Sequence, residues 1–170
     1  MAIQGGATRQ FRVEVEGYNL LGIAEVKLPD INFKTMDLEG AGIMGTISQA
    51  IFGNVDSLEV EVTFNTISAP AFKLLDISGK LIEFKSEIVG FETTTHGATG
   101  QFMRIALRGT TKGLSLGSLK IGDMMKVPFK LEATYLELWM DGEQCYKIDK
   151  FNSIFEVAGK ALFKKIDDYL

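Results

Sequence analysis

The sequence predicts a mainly β protein with a minor helical part, and three observations lead to this prediction. Strict alternation of apolar and polar residues, the pattern of a half-buried strand, is clearest in residues 57–64. Asp141 and Gly142 lie between two runs rich in aromatic and branched residues, which is typical of a β-hairpin because glycine adopts the positive φ of a tight turn. The clearest helix signals are confined to residues 68–77.

The N-terminal elements follow from the same patterns. Residues 1–8 are small and polar with two adjacent glycines, so we expect a flexible N-terminal arm. Residues 11–16 alternate strictly and predict a strand. Residues 20–27 predict a second strand, which ends before Pro29 because proline cannot donate a hydrogen bond to a sheet. Residues 31–35 predict a third, short strand.

Residues 37–56 interrupt the alternation and predict a protruding loop. Glycines break the segment, and a long loop within a compact domain is usually functional or disordered. Its apolar content argues against disorder, so we expect a protruding assembly loop that binds another molecule. The predicted contact residues are Leu38, Gly40, Gly42, Ile43, Met44, Ile47, Ile51 and Phe52.

A strand and a helix come next. The strand at residues 57–64 is expected to bury its apolar side chains and to present Glu59, Glu61 and Thr63 outward. The helix at residues 68–77 should pack an apolar stripe on the sheet. Its signals are Ser68 as N-cap, Pro70 in the first turn and Gly79 past the end, and the stripe consists of Ala71, Phe72, Leu75 and Ile77.

The C-terminal half is predicted to be mostly strands, at residues 81–91, 101–110, 125–140 and 152–157. Residues 160–170 have apolar side chains at i, i+4 spacing, which is compatible with a short helix. In the hairpin, a two-residue loop would place Met140 opposite Glu143, Leu138 opposite Cys145 and Tyr135 opposite Ile148. A four-residue loop with a bulge would shift this register.

Composition limits both organisation and partners. With 170 residues, 46% of them hydrophobic, the chain is long enough for one sizeable core, and we expect a single domain over residues 1–170. A net charge of −4 gives no basic surface for stable nucleic-acid binding. No apolar run approaches the roughly 20 residues of a membrane helix, so we expect no membrane binding. The single cysteine, Cys145, excludes an intrachain disulfide.

Two sequence motifs suggest chemistry, but neither has the context that it needs. Residues 40–45 match G-x-G-x-x-G, yet the segment before them is too polar for the buried strand of a dinucleotide site. Ser115 lies in a G-x-S-x-G motif, whose histidine should follow the serine, whereas His96 precedes it. His96 also has no ligand-type neighbours for a metal. We therefore expect no catalytic residue, no cofactor and no metal, and thus no enzyme.

Several segments occur together in an order and spacing that resemble one family. They are residues 19–22 (NLLG), 28–29 (LP), 38–45 (LEGAGIMG), 103–109, 134–142 and 148–149. In this order they resemble the major tail tube protein family of contractile-tailed phages, to which the tubes of R-type bacteriocins are related. The similarity runs through most of the chain, and the departures are at residues 49–55 and 160–170.

The resemblance implies a β-sandwich or β-barrel with one flanking helix. It also implies a structural subunit that self-assembles into hexameric rings stacked as a hollow inner tube. Its partners would be other copies of itself, the sheath protein, the baseplate and tail-terminator proteins, and the tape-measure protein or DNA that passes through the lumen. The subunit would be assembled in the bacterial cytoplasm and end in a virion tail or a headless contractile particle.

Two further hypotheses concern the lumen of such a particle and an alternative function for the chain. Glu59, Glu61 and Thr63 are expected to be solvated in the assembly and to line the lumen, because a polar wall lacks adhesive apolar patches and its carboxylates repel DNA phosphates. The alternative function is a small-molecule-binding β-barrel protein, which requires a closed barrel around a cavity.

Overall fold

A computed structural model describes residues 3–20, 22–66 and 69–163. It contains twelve β-strands and one 3₁₀ helix. The elements are β1 (Ile3–Val15), β2 (Tyr18–Leu20), β3 (Ile23–Lys27), β4 (Phe33–Leu38), β5 (Ile47–Val55), β6 (Glu59–Phe64), the 3₁₀ helix (Ala69–Asp76), β7 (Ile82–Glu92), β8 (Ala98–Leu114), β9 (Val127–Met140), β10 (Glu143–Asp149), β11 (Ile154–Val157) and β12 (Lys160–Ala161).

The strands form one ten-stranded antiparallel sheet and a separate two-stranded sheet of β4 and β5. The large sheet runs β12-β11-β10-β9-β8-β7-β1-β2. β6 pairs with both β9 and β3 and lies off this path. β8 occupies one edge of β9, so β6 and β10 must share the other, β6 along residues 127–132 and β10 along residues 135–140. β9 thus joins two parts of the sheet.

The sheet bends where these two parts meet. The pairing of β8 with β9 shifts register between Arg108 and Gly109, and such an irregularity bends and twists a strand. A Cβ atom on Gly109 would lie 1.9 Å from the backbone oxygen of Glu132, so only glycine fits at this close approach. The bend lets the two parts face each other.

The hydrophobic core lies between these two parts. Its side chains come from both parts of the sheet, from the 3₁₀ helix and from the residue that follows the helix. They are Val60, Val62 and Phe64 of β6, Leu74 of the helix, Ile77 after it, Ile82 and Phe84 of β7, Ile105 and Leu107 of β8, and Phe129, Leu131 and Leu136 of β9. Leu58, Val60, Val62 and Phe64 are almost fully buried, as the alternation in residues 57–64 predicts. The mainly β prediction is confirmed, and the arrangement is a β-sandwich.

The sheet does not close into a barrel. Among the described residues, β2 and β12 end the path of the large sheet and do not pair with each other. A cavity of about 540 Å³ lies at β1, β7, β8 and β9 and is lined by Phe11, Arg104 and Trp139 among others. The barrel form of the fold prediction is therefore wrong, and the described part of the chain lacks the closed barrel that the ligand-binding alternative requires.

The N-terminus differs from its prediction. Residues 3–8 are not an irregular arm but the first part of β1, which pairs with the distal end of β7 from Ile3 opposite Glu92 onward. Register shifts follow Gln4 and Thr8. Small polar residues and glycines suggested flexibility, but backbone pairing with β7 is a long-range contact that composition does not reveal.

The helix also differs from its prediction. It is a 3₁₀ helix in which Leu74 is fully buried, and Ile77, one residue past its end, is fully buried as well. Phe72 and Leu75, which were expected on the sheet because an α-helical period was assumed, are exposed. The predicted cap, Ser68, lies outside the described residues. So do residues 164–170 of the predicted C-terminal helix, while Lys160–Ala161 form β12.

Asp141 and Gly142 form the turn between β9 and β10. Their φ angles are 49° and 84°, which match a two-residue turn with positive φ at both positions. Met140 lies opposite Glu143 as expected. A bulge then leaves Cys145 unpaired, so that Tyr146 lies opposite Leu138, and Asp149, not Ile148, lies opposite Tyr135. The register predicted for a plain two-residue loop is wrong beyond Trp139.

We predict that Gly142→Val lowers the stability of the unassembled subunit. A Cβ atom at this position would meet no atom within 4 Å outside the two adjacent residues, so the effect isolates the strain of a β-branched residue at positive φ, about 1–3 kcal/mol. At about 2–4 °C per kcal/mol for a chain of this size, the melting temperature should fall by several degrees. Gly113→Val in β8 is the control, because this glycine also has open space but no positive φ. Equal melting temperatures for the two variants would contradict the prediction.

Candidate assembly site

The predicted protruding loop is mostly a β-hairpin. β4 and β5 pair antiparallel, with Leu38 opposite Ile47, and residues 39–46 connect them. The connection contains a turn from the Gly40 carbonyl to the Ile43 amide at 3.1 Å and a hydrogen bond from Thr46 Oγ1 to Glu39 Oε1 at 2.8 Å. The expectation of an irregular segment over residues 37–56 is corrected. No face of this hairpin is buried along its length, so β5 and the end of β4 lack the alternation that would have predicted them. The predicted strand at residues 31–35 covers only the start of β4.

The apolar residues of the hairpin are largely exposed. Met44 is fully exposed and Phe52 is 68% exposed. The other predicted apolar contact residues also retain at least a third of their accessible surface: Leu38, Ile43, Ile47 and Ile51. Gly40 and Gly42 have open space around them. An isolated two-stranded hairpin is marginally stable in water, so this one depends on what holds its base.

Aromatic side chains hold the base of the hairpin. The ring of Phe33, at the start of β4, lies 5.2 Å from that of Phe155 in β11 and 5.7 Å from that of Phe52 in β5. Gly53 adopts a φ of 86°, and a Cβ there would lie 2.8 Å from the ring of Phe163. The hairpin is therefore packed against the body at one end only, and the rest of it projects.

Hydrogen bonds to Glu132 of β9 also hold the base of the hairpin. Glu132 accepts hydrogen bonds from Ser57 Oγ, from the Leu58 amide at 3.1 Å and from Lys150 Nζ at 3.3 Å. Lys150 Nζ also donates to the backbone oxygen of Asp56, at 2.8 Å, directly after β5. Partial burial alone would raise the pKa of Glu132, but these hydrogen bonds outweigh it and lower the pKa from its ordinary value. The C-terminal end of the hairpin is thus tied to the centre of the sheet.

The outward face of β6 is polar and carries both signs of charge. Glu59 accepts hydrogen bonds from Lys112 Nζ at 2.9 Å and Lys130 Nζ at 3.1 Å, which lower its pKa. Glu61 lies 3.8 Å from Lys130. Thr63 is half-buried on the same face, opposite Pro128. The expected carboxylate face is therefore balanced by lysines, which the spacing within β6 alone could not reveal.

The G-x-G-x-x-G motif, the G-x-S-x-G motif and His96 lie in different parts of the fold. Residues 40–45 lie in the connection of the hairpin, where no helix follows them. His96 precedes β8 and Ser115 follows it, so the 17 residues of this strand lie between them. Within the described ranges no three acidic, histidine or cysteine side chains group as metal ligands, and no helix is long and apolar enough to span a membrane.

One exposed apolar segment was not identified from the sequence. Residues 115–126 join β8 to β9, and the sequence patterns assign residues 115–124 to no strand or helix. Four large apolar side chains of this loop face solvent: Leu116, Leu119, Ile121 and Met124. These side chains have no periodic spacing that would predict a strand or a helix. The signal that could have identified them is the high proportion of large apolar residues in a segment without such a pattern.

This sandwich with a projecting hairpin has the fold of contractile-tube proteins. It is similar to a chain of the sheath-tube complex, in its extended state, of the extracellular contractile injection system PVC. The TM-score is 0.52 at 13% identity, with 76% of this chain and 88% of that chain covered. The fold is therefore one that occurs in a contractile injection system.

The sequence comparisons identify the family within this class. The family model described as phage tail tube protein FII matches residues 7–168, and the chain belongs to this family of structural tail tube proteins. It is 27% identical over 156 residues to the major tail tube protein of Serratia phage KSP20, covering 91% of this chain and 89% of the relative. It is 25% identical over 152 residues to the tail tube protein of Escherichia phage P2, covering 86% of each. The resemblance noted in the sequence is confirmed.

We predict that Glu132→Gln destabilises the subunit in a pH-dependent way. Because the folded state lowers the pKa of Glu132, its carboxylate stabilises the fold above its ordinary pKa of 4.5, and this contribution disappears as the pH falls through the lowered value. The melting temperature of the unchanged protein should exceed that of the variant at neutral pH, and the gap should narrow below about pH 4. Glu143→Gln, at an exposed carboxylate of β10, is the control and should show little gap. A gap that stays constant across this pH range would contradict the assignment.

Proposed function

We propose that this chain self-assembles into hexameric rings that stack into the hollow inner tube of a contractile tail or injection apparatus. The observation that carries the proposal is the hairpin of β4 and β5, which is packed at its base and exposes apolar side chains over the rest of its length. Membership of a tail tube family supports the same conclusion.

The hairpin is suited to a contact between successive rings. At about 25 cal/mol per Å², a few hundred Å² of buried apolar surface contributes several kcal/mol, which offsets the entropy of ordering its glycines. A contact between different surfaces of two copies does not close on itself along the axis, so it propagates a filament. Leu38, Gly40, Gly42, Ile43, Met44, Ile47, Ile51 and Phe52 are the proposed contact residues.

Open strand edges support assembly within a ring. β2 pairs with β1 only along Val13–Val15, and in the described structure the same edge of β1 is unpaired from Ile3 to Arg12. Among the described residues β12 pairs only with β11, so its other edge is open as well. Unpaired edges promote aggregation unless they are covered, and pairing between subunits of a closed ring removes them.

The outward face of β6 is our candidate for the lumen wall. Glu59, Glu61 and Thr63, with Lys112 and Lys130 beside them, form a hydrophilic surface without adhesive apolar patches. Such a wall would allow DNA or a tape-measure protein to pass. A structure of the tube in which Glu59 and Glu61 contact the sheath or lie buried would exclude this role.

The proposed partners follow from the family and from its structural neighbour. The PVC chain with the same fold comes from a sheath-tube complex, which supports a surrounding sheath for this chain. Baseplate and tail-terminator proteins would bind the two ends of the tube. We place assembly in the bacterial cytoplasm and expect no enzymatic activity.

Size-exclusion chromatography with negative-stain imaging tests the proposed function. Rings or tubes are expected from the purified chain. A monomer that retains a small ligand would instead favour the binding-protein alternative and overturn the proposal.

We predict that replacing Ile43 and Met44 by Asp gives a folded subunit that does not polymerise. Both side chains are exposed, so the melting temperature should change little, whereas charge in an apolar contact opposes its burial. Phe151→Asp, at an exposed aromatic residue in the turn before β11, is the control and should still form tubes. Tubes of normal length from the double variant would show that the hairpin does not make the stacking contact.

A further inference from the structure

We propose that the hairpin of one copy docks on the loop of residues 115–126 in the next copy, so that this loop is the receiving surface of the stack. The inference rests on the proposed function and adds to it the partner surface, which no observation above assigns. It depends on the exposure of the loop, its position in the fold and its charge.

The loop is ordered although its apolar side chains are exposed. A Cβ on Gly117 would lie 2.4 Å from the Lys126 backbone oxygen, so the two ends of the loop approach each other closely. A turn brings the Asp123 amide to 3.2 Å from the Lys120 carbonyl, and their side chains form a 2.9 Å ion pair. Leu119 is nevertheless 86% exposed and Ile121 fully exposed. Compact surface loops held by their own contacts are frequently functional.

The loop and the hairpin lie at opposite ends of the same layer. The hairpin connects to the layer just before Glu59, the first residue of β6. The last residue of β6, Phe64, pairs with Val127, which directly follows the loop. β6 has six residues, so the two attachment points are about 20 Å apart along the strand direction. Copies arranged head to tail along this direction would bring the hairpin of one toward the loop of the next.

The charges of the two segments are complementary. Residues 37–47 of the hairpin contain Asp37 and Glu39 and no cationic residue, and neither carboxylate has an ion pair within the described part of the chain. Residues 115–126 contain Lys120, Lys126 and Asp123, a net charge of +1. Opposite charges beside two apolar surfaces favour this pairing over contact between two hairpins, which would bring like charges together.

Photo-crosslinking in assembled tubes tests the inference. Met44→p-benzoylphenylalanine places a photoreactive group at a fully exposed hairpin position, and mixing isotopically light and heavy subunits identifies crosslinks between copies. The expected result is light-to-heavy crosslinked peptides that map to residues 115–126. The same probe at Phe151, an exposed aromatic residue in the turn before β11, is the control and should not label the loop of residues 115–126.

The outcomes separate this inference from the proposed function. If tubes form but the Met44 probe labels another segment or no neighbouring copy, the loop is not the receiving surface, although the tube proposal stands. If the unchanged chain forms neither rings nor tubes, the proposed function fails and the inference fails with it.

A second variant supplies an independent measurement. Replacing both Leu119 and Ile121 by Asp should preserve the melting temperature, because both side chains are exposed, and lower the sedimenting polymer at least ten-fold. Polymer yield equal to that of the Phe151→Asp control would overturn the inference.

Discussion

β9 hydrogen-bonds to β8 along one edge and to β6 and β10 in turn along the other, and the rest of the fold depends on this shared pairing. One continuous strand can serve both parts of the sandwich only if the sheet bends between them. The absence of a side chain at Gly109 permits that bend, because the backbone of Glu132 occupies the space that a Cβ would need. The core, the position of β6 and the attachment of the hairpin all follow from this geometry.

The buried core and the exposed apolar side chains lie in different parts of this molecule. The core is closed by side chains from the sheet and the 3₁₀ helix, whereas the hairpin and the loop of residues 115–126 contribute apolar surface that the subunit itself does not bury. Glu132 and Phe155 connect the hairpin to the body, since one ties the end of β5 to the sheet and the other packs on the start of β4. A change at the exposed surfaces is therefore expected to leave the folding of the subunit undisturbed.

Local patterns predicted those parts of the fold in which one face of an element is buried. The alternation in β6 and the Asp-Gly turn are examples, because burial on one side produces a period that the sequence displays. The hairpin of β4 and β5 has no buried face, and the pairing of residues 3–8 with β7 is long-range, so neither produced such a period. The α-helical period assumed for residues 68–77 places Phe72 and Leu75 on the sheet, whereas in the 3₁₀ helix both are exposed and Leu74 is buried. In the candidate site, composition identified Ile43 and Met44, but the lysines beside Glu59 come from β8 and β9 and could be located only in three dimensions.

The pairing of β6 with β9 has a consequence for the order of folding. Val60 pairs with Leu131, which is synthesised 71 positions later (131 − 60 = 71), whereas β4 and β5 are neighbours in the chain. Contacts between distant positions are slow to form because the loop between them must first close. As a chain leaves the ribosome, residues 33–55 therefore emerge while their anchor on β9 and β11 does not yet exist. The apolar side chains of this segment are therefore exposed before the core has closed, and about half of the chain remains to be synthesised at that stage.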